Sequence, residues 1–95
     1  MAGSPDIPVL RGAVLGLGMI GRHHARLLQT SPAFAFAGAA DPGGDRFDAV
    51  RDDADVHASL DALLERGRPD FVVVAVPTEE HLPAARACAA AGVAV

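Results

Sequence analysis

The sequence predicts an α/β protein built on a doubly wound parallel sheet. Apolar segments alternate with helical ones in the order β-α-β-(α)-β-α-β-α-β, and strands joined by helices form parallel sheets with right-handed crossovers. The longest apolar run, Phe71–Val76, shows no alternation, which is typical of a strand buried on both faces. A glycine-rich turn follows the first strand. The chain reaches only the start of a fifth strand, Val93–Val95, so we expect a sheet truncated within that strand.

The first third of the chain predicts two strands that flank a helix. After a loose lead-in, residues 1–8, the apolar segment Val9–Leu15 predicts a short buried strand. Pro32 ends the following helix because proline disfavours helical backbone in the residue before it. Offsets of 0, 4, 7 and 8 predict one buried helix face, formed by Ile20, His24, Leu27 and Leu28. Phe34–Ala40 is the second strand, and a turn cluster at residues 41–44 stops it.

The middle of the chain predicts weaker elements. Asp45 is expected to cap a short helix through residues 47–50. Val56-His57 is at most a strand stub. Ser59 is a good N-cap for the next helix, and Gly67 is its expected C-terminal stop.

The last third predicts the central strand and one more helix. Phe71–Val76 is the central strand, and Pro77 breaks it. The final helix is expected over Leu82–Ala91, because Pro83 is tolerated in a first turn and Gly92 can close the helix. We therefore expect residues 9–95 to form one dinucleotide-binding domain that is incomplete.

The composition excludes several classes of function. A net charge of −4 and the absence of Tyr and Trp disfavour a nucleic-acid partner. Without Lys there is no phosphate-binding loop of the Gly-Lys-Ser/Thr type and no Schiff base. The single cysteine, Cys88, is best interpreted as a small core residue, and no metal site is expected. No apolar run can span a membrane and no signal peptide is recognisable, so we expect a cytoplasmic protein.

The strongest motif is the glycine loop Gly16-Leu17-Gly18-Met19-Ile20-Gly21. Gly16 would permit a tight turn out of the strand, Gly18 would let backbone approach a pyrophosphate, and Gly21 would let the helix pack close to the sheet. The helix N-terminus offers unpaired N–H groups and a positive dipole end to phosphates. This arrangement predicts a Rossmann-type dinucleotide site.

Asp41 bears on the choice of cofactor. It lies 20 residues after Gly21, at the end of the next strand, where a carboxylate can accept the ribose hydroxyls. A carboxylate there favours NAD, whose 2′-hydroxyl is free, and repels the 2′-phosphate of NADP. Arg46 is the nearest cation that could accommodate NADP, so NADP stays possible.

A second candidate segment follows the central strand. Here the chain leaves the carboxyl end of a strand that neighbours the first one, and open α/β sheets bind ligands at that position. The candidate residues of this segment are Val76, Pro77, Thr78 and His81. The Thr78 hydroxyl could cap the following helix or reach the cofactor. His81 could line the nicotinamide side or be a surface residue.

These segments together resemble the N-terminal domain of the glucose–fructose oxidoreductase and inositol dehydrogenase family (Gfo/Idh/MocA). The similarity covers about residues 10–95 and rests on GLGMIGRHHARLL at 16–28, AADP at 39–42 and VVVAVPTEEHLPAARACAAAGVAV at 72–95. The resemblance implies an NAD(P)-dependent oxidoreductase that passes hydride between nicotinamide and a sugar, polyol or related hydroxyl-bearing carbon.

The resemblance also assigns roles to residues. The phosphates would be lined by Gly16, Gly18, Met19, Ile20 and Gly21. Asp41 would hold the adenosine ribose. The nicotinamide side would be lined by Val76, Pro77, Thr78 and His81, with Val76 replacing the family's usual Thr, so that one hydroxyl contact is lost.

The resemblance further implies parts that this chain lacks. The family's Glu-Lys-Pro motif should follow Val95, and its C-terminal domain carries the substrate pocket, the catalytic residues and the open sheet used for homo-oligomers. We therefore expect the chain alone to bind a dinucleotide without turning over substrate. Two other functions stay open: a dinucleotide-sensing or CoA-binding module, and another two-domain reductase such as homoserine dehydrogenase.

Overall fold

Four parallel strands form the sheet, in a computed structural model that describes residues 9–95. The predicted lead-in, residues 1–8, lies outside these described residues. The strands are β1 (Leu10–Leu15), β2 (Phe34–Ala40), β3 (Val56–His57) and β4 (Phe71–Val74), and their spatial order is β3-β2-β1-β4. This order confirms the predicted α/β fold with a parallel sheet. Beyond β4, Ala94 makes a parallel bridge with Phe71, within the segment predicted to begin a fifth strand.

Helices lie on both faces of the sheet. They are α1 (Met19–Thr30), α2 (Leu60–Ala62), which runs into a π-helical turn (Leu63–Gly67), and α3 (His81–Ala90), which follows a 3₁₀ turn (Thr78–Glu80). On one face α1 packs through Ala25 and Leu28 against Val14 of β1. On the other face Leu63 and Cys88 pack against Ala13. Neighbouring residues of one strand thus belong to two cores, as strands covered on both sides require.

The buried face of α1 differs from the predicted one. Its buried residues are Gly21, Ala25 and Leu28, whereas Ile20 is 67% exposed and Leu27 is 51% exposed. The helix packs against the sheet through two small residues and Leu28, whereas the side chains of Ile20 and Leu27 point away from it. The predicted face was therefore wrong for Ile20 and Leu27.

The short helix expected after Asp45 does not form. Residues 41–55 are a loop, and the Asp45 carboxylate accepts hydrogen bonds from the amides of Ala49 and Val50, both at 2.8 Å. Gln29 of α1 donates to the Ala49 carbonyl at 2.7 Å and accepts from the Arg51 amide at 2.8 Å. These side chains satisfy backbone groups that a helix would otherwise pair.

The remaining boundaries are close to the predicted ones. The Ser59 hydroxyl accepts from the Ala62 amide at 3.2 Å, which confirms the predicted N-cap. The turn ends at Gly67, but Arg68 adopts the left-handed conformation (φ 47°), while Gly67 packs against β2. Strand β4 ends at Val74, two residues before the predicted end.

Candidate functional site

The glycine loop joins β1 to α1 in a turn that needs glycine at two positions. Gly16 has φ 94°, and a Cβ there would lie 2.5 Å from the carbonyl oxygen of Ala75. A Cβ on Gly21 would overlap the Gly16 carbonyl oxygen. The two glycines therefore let the loop and the start of α1 lie directly against Ala75, the residue after β4.

Gly18 differs from both because its surroundings are open. Its backbone is extended (φ −73°), and a Cβ there would have no neighbour within 4 Å. Gly18 is the N-cap of α1, and no side chain accepts a hydrogen bond from the first amides of the helix. The first helical hydrogen bond runs from the Arg22 amide to the Gly18 carbonyl at 2.9 Å. The amides of Met19 and Ile20 thus have no acceptor among residues 9–95 and adjoin open space. This arrangement fits a phosphate group.

Asp41 lies directly beside this loop. Its Oδ2 accepts a hydrogen bond from the Leu17 amide and its Oδ1 accepts one from the Gly43 amide, both at 2.7 Å. A carboxylate has about four lone-pair positions, so each oxygen keeps capacity for another donor. The two backbone bonds orient the carboxylate before any ligand arrives, and the free positions suit two neighbouring hydroxyls.

A cleft of about 630 Å³ runs along the carboxyl ends of the strands. It brings together five predicted site residues, namely Gly16, Gly18, Asp41, Val76 and Pro77. Its other walls come from the loop after β2, the segment after β3, the 3₁₀ turn and α3, and include Arg46, Ser59, Leu60, Asp61, Glu80, Pro83, Ala84 and Ala87. Sequence reasoning considered Arg46 but missed the other seven as site residues. The rule that ligands bind at the carboxyl ends of parallel strands could have indicated the segment after β3.

A second, smaller cleft of about 300 Å³ lies on the α1 side of β4. It brings together Ile20, Val76, Pro77, Thr78 and His81, all of them predicted site residues. His24, which sequence reasoning treated as a packing residue, also lines it. Met19 lines neither cleft and is 78% exposed.

The contacts of Thr78 and His81 bear on their alternative roles, which stay predictions. No side-chain hydrogen bond caps the 3₁₀ turn or α3, so Thr78 does not cap them. One ring nitrogen of His81 (Nε2) lies 2.7 Å from the Val76 carbonyl oxygen, which fixes the imidazole at the cleft although the residue is exposed.

A parallel sheet whose first strand ends in an open glycine turn, with an oriented carboxylate on the next strand, defines a Rossmann-type dinucleotide-binding domain. The chain belongs to the Gfo/Idh/MocA oxidoreductase family, described as an oxidoreductase family with an NAD-binding Rossmann fold, whose profile matches residues 10–95. The family predicted from the motifs is thereby confirmed, and with it NAD as the cofactor.

Two solved structures show the same similarity. UDP-N-acetylglucosamine 3-dehydrogenase GnnA from Acidithiobacillus ferrooxidans is 30% identical over 92% of this chain, with a TM-score of 0.72. GenD2 from gentamicin A biosynthesis, solved in complex with NAD, is 33% identical over 98% of this chain, with a TM-score of 0.77. The chain spans only 28% and 27% of these two proteins, respectively. No curated protein matches the chain significantly.

Proposed function

We propose that this chain is the cofactor-binding part of an NAD-dependent oxidoreductase that acts on a hydroxyl-bearing carbon of a sugar, polyol or related compound. The observation that carries the proposal is the open space at Gly18, which adjoins unpaired amides of α1 and the carboxylate of Asp41. Gly44 and Gly92 also adjoin open space, but neither lies at the start of a helix, whereas Gly18 lies at the N-terminus of α1, where helix amides are free to bind an anion.

The two clefts suggest how the dinucleotide lies. The diphosphate would bind over the loop formed by Gly16, Gly18, Met19, Ile20 and Gly21. The adenosine would lie in the larger cleft with its ribose on Asp41, and the nicotinamide would enter the smaller cleft. Both clefts include Val76 and Pro77, so one ligand can extend from one cleft to the other past the loop.

The smaller cleft suits hydride transfer because its walls are largely apolar. A bound nicotinamide ring supplies the hydride acceptor or donor for a carbon that carries a hydroxyl. Ile20, Val73 and Pro77 would exclude water from the transfer path. His81, held by the Val76 carbonyl, and Thr78 would orient the nicotinamide end.

A preference for NAD over NADP follows from Asp41. Its free lone pairs can accept both ribose hydroxyls, whereas a 2′-phosphate would bring a second anion against the carboxylate. Arg46, in the same cleft, would partly offset that repulsion. We therefore propose that NADP binds, but more weakly.

The substrate class rests on the family and on the two similar structures. One of them is named for dehydrogenation of a nucleotide-linked amino sugar and the other for gentamicin A biosynthesis. No helix within residues 9–95 is long and apolar enough to cross a bilayer. A cytoplasmic location and a homo-oligomeric assembly remain predictions.

Calorimetric titration with NAD tests the placement of the diphosphate. Gly18→Val should abolish measurable binding, because its side chain would fill the space meant for phosphate oxygens. Ala89→Val introduces the same residue at an exposed position of α3 that lines neither cleft, and it should bind NAD normally. Normal binding by Gly18→Val would refute the placement. Formation of reduced nicotinamide on addition of sugars or polyols to the intact protein tests the proposed reaction.

A further inference from the structure

The far end of the larger cleft, beyond Asp41, carries a carboxylate that the proposed function does not use. Strand order places the glycine loop at the end of β1, Asp41 at the end of β2, and residues 58–61 just after β3. Adjacent strands are about 4.8 Å apart. A ligand with its diphosphate at β1 and its ribose at β2 therefore reaches β3 with its base.

Asp61 is held where this base would lie. The turn that carries it is fixed by two bonds to Ser59: the Ala62 amide donates to its hydroxyl at 3.2 Å, and the Leu63 amide donates to its carbonyl at 3.1 Å. Asp61 is exposed and lines the cleft. Its carboxylate accepts no hydrogen bond and forms no ion pair with any residue in the described range 9–95.

The cleft around Asp61 matches the chemistry of a purine. Leu60 and, from α3, Pro83, Ala84 and Ala87 provide apolar surface for the flat faces of a base. Adenine presents an exocyclic amino group at its edge, and a carboxylate is a strong acceptor for such a donor. Hypoxanthine presents a carbonyl oxygen at the same position, which a carboxylate repels.

We propose that Asp61 is a specificity residue that selects adenine, by accepting a hydrogen bond from the exocyclic amino group of the cofactor's base. This inference rests on the proposed function, because it assumes that the dinucleotide lies along the strand ends. Glu80 is another carboxylate that lines the larger cleft. It ends the 3₁₀ turn that follows β4, and β4 and β3 lie on opposite sides of β1 in the sheet.

Calorimetric titration with NAD and with nicotinamide hypoxanthine dinucleotide tests the proposal. The unmodified protein should bind NAD about fivefold more tightly, a modest ratio because an exposed carboxylate stays partly hydrated. Asp61→Asn should bring the ratio close to one, since an amide can accept from adenine or donate to hypoxanthine. Glu80→Gln, the matched control, should keep the ratio.

Each of the other outcomes has a definite meaning. The proposal fails if the unmodified protein binds both dinucleotides equally, if Asp61→Asn keeps the preference, or if Glu80→Gln removes it. The ratio compares two ligands on one protein, so a change in stability alone does not alter it. Undiminished NAD binding by Gly18→Val would instead refute the proposed function, which separates the two failures.

Discussion

Gly18 and Gly21 lie three residues apart, yet the same substitution should affect different properties: stability at Gly21 and NAD affinity at Gly18. In Gly21→Ala the new Cβ would overlap the Gly16 carbonyl oxygen and lie 3.2 Å from the Ala75 Cβ, so α1 must move away from the sheet. Overpacking of this kind costs about 1–3 kcal/mol. For a domain of this size, each kcal/mol lowers Tm by roughly 4–8 °C.

Gly18→Ala should leave the free energy of unfolding nearly unchanged. The backbone at Gly18 (φ −73°) is accessible to any residue, and the Cβ would enter open space. Loss of a glycine cap destabilises the helix by a few tenths of a kcal/mol or more. Alanine also restricts the unfolded chain, which stabilises the folded state by about 0.4–1 kcal/mol. NAD affinity should nevertheless fall at least tenfold, which corresponds to about 1.4 kcal/mol.

Thermal unfolding followed by circular dichroism, combined with NAD titration, separates the two effects. Gly21→Ala should lose stability, whereas Gly18→Ala should lose affinity while keeping its Tm within a few degrees. If Gly18→Ala proved as unstable as Gly21→Ala, the space beside Gly18 would be filled in solution, and the reasoning about the phosphate site would be wrong.

Three further predictions concern other contacts. Asp41→Ala removes the acceptor of the Leu17 and Gly43 amides, so calorimetry should show NAD binding weakened more than NADP binding, and denaturant unfolding a stability loss of about 1–2 kcal/mol. Gln29→Ala frees the loop at residues 49–51, which hydrogen exchange should report as faster exchange of the Arg51 amide. Burial raises the pKa of the Cys88 thiol above its ordinary value of 9.0, so the folded chain holds this proton more tightly than the unfolded chain. The resulting stabilisation is present below pH 9.0 and is lost as the pH rises through the higher folded-state pKa, which unfolding curves of the unmodified protein and Cys88→Ala at alkaline pH should show.

The features that could be predicted from sequence are those with a fixed local requirement. The glycine loop needs residues without side chains at set positions, and a central strand covered on both faces needs a continuous apolar run. The position of Asp41 follows from the same logic, since it ends the strand next to the loop.

The features that could not be predicted depend on contacts between distant segments. The buried face of α1 was misassigned because the periodicity of large apolar residues ignores Gly21 and Ala25, through which this helix packs. A helix after Asp45 was expected because the pattern does not reveal that Gln29 binds the loop from 20 residues away. The cleft residues Ser59 and Asp61 belong to no motif, and only the order of the strands brings them beside Asp41.

If Asp41 sets the preference for NAD, as proposed, the two amides that it binds couple that preference to the shape of the glycine loop. A redesign toward NADP that simply replaced this carboxylate would also release Leu17 from its anchor and Gly43 from its turn. Asparagine at this position would remove the negative charge, but only its Oδ1 can accept a hydrogen bond, so a second substitution would have to hold the other amide. Nicotinamide preference in this chain is therefore expected to change through paired substitutions and not through one.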